Sequence, residues 1–263
     1  VRIIYEPRGR ALEYAPLAVS LYRGCPHGCV YCFAPESTRT EREKFMQAYP
    51  RKDALRKLEL DCKELAAAND QREILMSFTC DPYQPLDEEL ALTRTAIRIL
   101  IDHGLHFTIL TKGGARSRRD RDLLFEHPEL CRYGTTLVFS DEQDRALWEP
   151  NAAPTAERIK VMKGMHAYLK TWVSLEPVIY PAQTLELIRQ TVDFVDEYRI
   201  GKFNHAGNPE LERFLKEIGY FYPTSQGWIE IVKSIKALLD ETGSRYIFKK
   251  DLLPYLQAAG GCR

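Results

Sequence analysis

Three cysteines fall in the segment Gly24-Cys25-Pro26-His27-Gly28-Cys29-Val30-Tyr31-Cys32-Phe33, spaced Cys-x3-Cys-x2-Cys. Sulfurs at this spacing meet at one compact centre only if the chain curls around it. Pro26 fixes φ and Gly28 permits positive φ, which suits such a curl. Thiolates are the natural ligands of a four-iron cluster, which ordinarily takes four of them. A loop that offers three leaves one iron free to accept a small molecule, as catalytic metal sites keep a position open. The same three sulfurs with His27 or Cys62 also make a tetrahedral zinc set, so the spacing alone leaves both metals open.

The other cysteines, Cys62, Cys80, Cys131 and Cys262, are scattered, and the total of seven is odd. Clustered cysteines in such a chain point to metal or redox chemistry rather than a disulfide scaffold. Apolar residues make up 44% and charged residues 28%, ordinary for a globular protein. Lys+Arg and Asp+Glu are 37 each, so the chain lacks the bulk positive charge of a strongly basic nucleic-acid binder. No apolar run approaches the length of a membrane span, and Val1-Arg2-Ile3-Ile4-Tyr5-Glu6-Pro7 lacks a signal-peptide core. The expectation is a cytoplasmic protein with no membrane partner.

The elements that position the loop follow a rhythm of short apolar runs and amphipathic stretches. Leu17–Arg23, Glu73–Thr79, His106–Leu110, Gly134–Phe139, Thr171–Leu175 and Tyr198–Phe203 read as strands. Between them, helices are predicted over Asp53–Ala68, from Pro85 through Ile101, around Asp120–Phe125, over Thr155–Ala167 with Thr155 as N-cap, and over Ala182–Phe194. Alternation of this kind implies βαβ units and a parallel sheet. Six units suit an open, partial (β/α)6 barrel better than a closed eight-unit one, which takes roughly 250 residues.

Residues 1–16 read as an N-terminal extension, 17–205 as the core barrel, and 206–263 as a carboxy-terminal cap of helices plus a strand at Tyr246–Phe248. Loops after the strands share one end of such a barrel. Gly24–Phe33, Thr79–Gln84, Thr111–Lys112, Ser140–Asp141, Glu176–Pro177 and Gly201–Asn204 are therefore placed around one opening.

The cysteine loop after the first strand resembles the signature of the radical S-adenosylmethionine (SAM) superfamily. Thr79-Cys80-Asp81-Pro82-Tyr83-Gln84-Pro85, Thr93-Arg94, Thr111-Lys112, Arg119-Asp120, Asp122-Leu123-Leu124, Glu149-Pro150, Pro154 and Arg158 resemble its spore photoproduct lyase-like branch. The resemblance implies a [4Fe–4S] cluster on Cys25, Cys29 and Cys32, with SAM chelated to the fourth iron. It implies reductive cleavage of SAM to a 5′-deoxyadenosyl radical that takes hydrogen from a substrate. An electron donor such as flavodoxin or ferredoxin is implied with it. By the same resemblance Tyr31 lies near the adenine, and Thr79 and Asp81 contact the amino group of SAM. Ser140 faces the ribose or carboxylate, and Lys112 and Arg158 pair with the carboxylate. Glu176 and Gly201 to Asn204 border the ribose and adenine.

Cys80 corresponds loosely to the hydrogen-donating cysteine of the lyases, two residues later when aligned on the aspartate. As an ordinary residue it is a small buried thiol near a barrel rim. Lys112–Arg121 is a basic run that either tracks a nucleic-acid backbone or is a solvated face paired with Asp120, Asp122 and Glu126. Trp148, Trp172 and Trp228 are too dispersed for a base-stacking platform, and Met162 and Met165 read as core filler. The expected function is that of a radical SAM enzyme on an unidentified substrate, with nucleic acid a candidate. The alternative is a non-catalytic zinc- or iron–sulfur-containing module that binds a partner.

Overall fold

The computed structural model describes residues 2–203 and 209–260. In chain order the strands are β1 (Ile4–Tyr5), β2 (Leu17–Val19), β3 (Tyr22–Arg23), β4 (Tyr49–Pro50), β5 (Ile74–Met76), β6 (Phe107–Thr111), β7 (Cys131–Thr136), β8 (Lys170–Val178), β9 (Glu197–Lys202) and β10 (Arg245–Phe248). One 8-stranded sheet has the order β1-β2-β5-β6-β7-β8-β9-β10, and β3 and β4 form a separate antiparallel pair. From β2 onward every neighbour in the large sheet is parallel, while β1 pairs antiparallel along the free edge of β2. The linear order is that of the expected open barrel.

Parallel strands covered on both faces lose the polar alternation of a half-exposed strand. Here Leu17-Ala18-Val19 and Ile74-Leu75-Met76 are buried throughout. Side chains still alternate between the faces. Leu17, Val19, Ile74, Met76, Phe107 and Ile109 join the large core under the helices. Ala18, Leu75 and Trp172 face the concave side with Ala15, packed by Tyr14 and Phe78. The N-terminal extension thus fills the mouth of the half-barrel. Gly134 leaves room for the Trp172 ring, whose indole donates to Thr108 Oγ1 at 2.8 Å.

The helices are α1 (Ala34–Ser37), α2 (Arg42–Phe45), α3 (Ala54–Ala67), α4 (Pro85–Leu90), α5 (Leu92–Asp102), α6 (Arg121–Glu126), α7 (Glu142–Trp148), α8 (Thr155–His166), α9 (Pro181–Thr191), α10 (Pro209–Glu217), α11 (Ser225–Glu241) and α12 (Leu253–Ala258). The single helix predicted from Pro85 is two, broken at Ala91 with φ 49°. The break has a partner: buried Asp87 accepts from Thr93 N at 2.9 Å, satisfying a first-turn donor of α5, and from the Tyr22 hydroxyl. Thr155 is the first helical residue of α8 rather than its N-cap, and its hydroxyl donates to Phe139 O at 2.8 Å. The strand predicted over 134–139 lies at 131–136, with Leu137–Phe139 buried beyond its end.

The strand expected in the cap at 246–248 pairs parallel with β9, so the sheet continues past the point where the sequence rhythm changes. Met162 and Met165 are core residues, as expected. Among the described residues no helix is long and apolar enough to cross a membrane.

Candidate active site

The cysteine loop runs from β3 to α1 and is held by its own backbone. Gly24 (φ +77°) is required, because a Cβ there would stand 2.5 Å from Phe45 O; Gly28 also has positive φ (+66°). Cys25 N donates to Phe45 O at 2.8 Å, Cys32 N to Cys29 O at 3.0 Å, and Val30 N to Trp148 O at 2.8 Å. Arg42 reaches in from α2 and donates to Cys29 O at 2.9 Å and Val30 O at 3.0 Å. Asn151 fastens the other side, donating from its side chain to Pro26 O at 2.9 Å. The three cysteines are free of disulfides and line one cavity of about 510 Å³. Burial pushes all three thiols up, Cys29 to about 12, and the Lys112 charge acts against it at Cys29 and Cys32.

Beneath the loop lies a closed ionic group. Glu149 and Arg158 are fully buried and paired at 2.5 Å, and the Tyr31 hydroxyl donates to the same carboxylate. Arg158 spends its other nitrogens on Ala153 O (2.7 Å) and Thr136 O (3.1 Å). Burial works against the charge on Glu149, but Arg158 and Lys112 hold its carboxyl below the usual range. Lys112 Nζ sits 5.4 Å over the Tyr31 ring; burial opposes its charge, while Cys29 and Glu149 keep its pKa raised.

The far wall is built by the N-terminal extension, β8 and the chain after β10. Glu176 accepts from the Tyr14 hydroxyl, from Lys249 Nζ, and from Arg10 at 2.8 Å. A Cβ at Gly201 would meet the Glu176 carboxyl carbon at 2.5 Å, so this glycine makes room for that side chain. Between the walls, Phe78 packs at a tilt against Phe33 and edge-on to Tyr14, with ring centroids 5.1 Å and 5.9 Å apart, giving the cavity an aromatic floor.

The structure gathers most of the predicted residues. Cys25, Cys29, Tyr31, Cys32, Thr79, Cys80, Asp81, Lys112 and Glu176 all line the cavity. Asp81 is already engaged by Tyr83 N (2.8 Å), Thr111 Oγ1 (2.6 Å) and Lys112 N (2.7 Å), so it locks β6 to the loop after β5. Arg158, Ser140 and Gly201 do not line it. Arg158 lies beneath the site, paired with Glu149, and Glu176 pairs with Arg10 and Lys249. Ser140 N donates to Gln183 Oε1 at 2.9 Å beside α7. Asn204 lies outside the described residues. Sequence reasoning missed Arg10, Tyr14 and Lys249, which come from segments outside the six predicted units. Buried His27, which the sequence offered only as a zinc ligand, lines the cavity with its Nε2 unpartnered among the described residues.

The family model of the radical SAM superfamily matches residues 19–195. The chain belongs to the radical SAM superfamily. It is 25% identical over 241 residues to the uncharacterized protein MJ0683 of Methanocaldococcus jannaschii, across 90% of this chain and 88% of that one. A spore photoproduct lyase point mutant superposes with a TM-score of 0.72 at 12% identity, over 92% of this chain and 79% of the lyase. SuiB of Streptococcus suis, in its structure with S-adenosylmethionine, superposes with a TM-score of 0.65 at 11% identity. That match takes in 88% of this chain and 49% of SuiB, so the chain spans about half the length of that protein. Another SuiB structure holds the precursor peptide SuiA. At these identities the two likenesses show the radical SAM fold.

Membership implies a [4Fe–4S] cluster and SAM, and the donor set fits both. Three free thiols share a wall of one cavity with an unpartnered imidazole nitrogen. Among the described residues no three His, Cys, Asp or Glu groups surround one point as a single ion needs. Three thiols that line one cavity can each take a different iron of such a cluster.

Proposed function

We propose that this chain is a radical SAM enzyme that holds a [4Fe–4S] cluster on Cys25, Cys29 and Cys32 and cleaves SAM reductively to drive hydrogen abstraction from an organic substrate. The observation that carries this reading is the set of three free thiols on one wall of a cavity large enough for a small-molecule ligand. Bound there, the cluster and SAM supply a one-electron cleavage that yields a 5′-deoxyadenosyl radical. The protein's own part is to bind, orient and exclude water. Arg42 and Asn151 fix the loop, Lys112 offers its ammonium to the carboxylate of SAM, and Thr79 and Asp81 face its amino group. Asp81 Oδ2 takes one internal bond, from Lys112 N, and lies 3.6 Å from His27 Nδ1, so the imidazole shares that contact. Tyr31 and Glu176 border the adenosine, one from each wall. Arg158 is reassigned: it acts through Glu149 and Tyr31, not on SAM.

The aromatic floor of Tyr14, Phe33 and Phe78 receives the apolar or planar part of the substrate. Cys80 lies on the same cavity, and burial raises its pKa, keeping it as S–H, the form that gives up a hydrogen atom. Transfer of that atom to a carbon-centred substrate radical leaves a thiyl radical, which one electron from a flavodoxin- or ferredoxin-type donor and one proton from solvent return to the thiol. Removal of this thiol in Cys80→Ala is expected to change product identity with little effect on SAM cleavage. Unchanged products and turnover, by mass spectrometry, would remove Cys80 from the mechanism.

The primary test is anaerobic reconstitution with iron and sulfide, followed by dithionite-driven release of 5′-deoxyadenosine from SAM. Release is expected in the parent chain and lost in Cys29→Ala. Stoichiometric zinc without bound iron would overturn the reading in favour of a partner-binding module.

A further inference from the structure

The charged residues outside the active site fall into two unlike groups. In the basic run over 112–121, Lys112 turns into the active-site cavity, Arg116 pairs with Glu88 at 3.2 Å, and Arg119 pairs with Asp87. Only its exposed Arg118 and Arg121 lack such partners among the described residues. Elsewhere, five cations from three stretches of the sequence meet around one pit of about 420 Å³: Arg2, Arg23, and Arg51, Lys52 and Lys57, beside half-exposed Tyr49. Among the described residues no carboxylate lines this pit, and the one that touches its cations is Glu64, at 2.6 Å from Arg2.

Local folding forces this gathering. β4 pairs with β3, bringing Tyr49 beside Arg23, and Arg51 N donates to Leu21 O at 2.9 Å. Lys57 Nζ, from the first turns of α3, donates to Lys52 O at 2.9 Å. Among the described residues Arg51 Nε is buried with no hydrogen-bond partner, and no carboxylate pairs with the side chains of Arg23 and Lys52. Uncompensated like charges repel, and a buried unpaired guanidinium nitrogen is costly; an anion relieves both.

We propose that this pit is a phosphate-binding site. A forked guanidinium matches the oxygens of a phosphate. A concave pit admits a projecting tetrahedral group, where a flat acidic protein surface would leave it unfilled. Tyr49 offers a face for stacking a base beside that phosphate. Arg51 carries the influence of the pit toward the active-site cavity, because its charge acts on Cys80, which lines that cavity. The phosphate belongs either to a nucleic-acid backbone or to a small phosphorylated molecule. The site does not depend on radical chemistry, so failure to bind phosphate and failure to cleave SAM are separate outcomes.

The test titrates the reconstituted chain with a fluorescein-labelled single-stranded oligodeoxynucleotide, read by anisotropy, and with sodium pyrophosphate, read by calorimetry. Saturable binding of at least one probe is expected. The double variant Arg23→Ala/Lys52→Ala alters two exposed side chains, and an unchanged thermal melt verifies its fold. It is expected to weaken binding about tenfold or more and to lower the salt slope by about 1 per lost phosphate contact. Arg118→Ala is expected to leave affinity unchanged. Tight oligonucleotide binding that pyrophosphate fails to displace assigns a nucleic-acid backbone; displacement by pyrophosphate assigns a small phosphorylated ligand. No binding of either probe, equal weakening by Arg118→Ala, or equal binding of poly-glutamate overturns the proposal.

Discussion

Two tyrosine–glutamate–cation groups flank the cavity and differ in one decisive residue. Under the cysteine loop, Tyr31 and Arg158 share Glu149, and the side chains of the ion pair are 0% exposed. On the far wall, Tyr14 and Lys249 share Glu176, whose side chain keeps 16% of its exposure, with Arg10 as a third donor. A guanidinium keeps its charge at every accessible pH, whereas a buried lysine shifts readily. Burial lowers Lys249 to about 8, with Glu176 acting against the shift. The group under the cluster loop is therefore a fixed strut. The group facing it is assembled from the two ends of the chain and titrates. The cation chosen for each carboxylate sets which wall is permanent.

The largest expected effect comes from breaking the strut. Glu149→Gln removes the negative charge and leaves Arg158 buried and uncompensated, a change that costs about 3–5 kcal/mol. Urea denaturation measures it, and iron content after reconstitution should fall with it, because Tyr31 sits between Cys29 and Cys32, two of the proposed cluster ligands. A loss below about 1 kcal/mol, the scale of an exposed pair, would mean that Arg158 finds other acceptors and the strut is not structural.

The two groups also differ in how far the sequence revealed them. The cysteine spacing is local, so its chemistry is legible without a fold. The rule that functional residues follow parallel strands then brings Thr79, Asp81, Lys112 and Glu176 to the same opening, and all four line it. Arg158 sits on a helix with apolar neighbours, and nothing local distinguishes a cation that faces a ligand from one that faces a buried Glu149. Tyr14 precedes the first strand of the barrel and meets Glu176 across a separation of 162 residues, a contact only the closed fold creates. Lys249 was hidden because β10 was read as part of a cap instead of a strand of the main sheet. The basic pit escaped for the same reason. Its cations are spread from Arg2 to Lys57, whereas the run at 112–121 is contiguous and has Arg116 and Arg119 paired with carboxylates of α4.

A smaller effect separates the two groups by pH. Lys249 titrates near 8 in the folded chain and near its ordinary 10.5 when unfolded. Below about pH 8 both states hold the proton, and the folded chain bears the full cost of burying it. Between those values the unfolded state binds more protons, so the unfolding free energy rises with pH. Beyond the upper value the contribution is constant. Arginine at this position does not titrate in that window, so Lys249→Arg should lack the rise, and every other titration common to both proteins cancels in the difference. Urea unfolding of the two chains from about pH 7 to about pH 10 measures that difference. A stability gap that shifts steadily toward the parent chain as pH rises supports a titrating far wall. A constant gap would show that Lys249 keeps its proton within the fold, and the two walls would then be equally permanent.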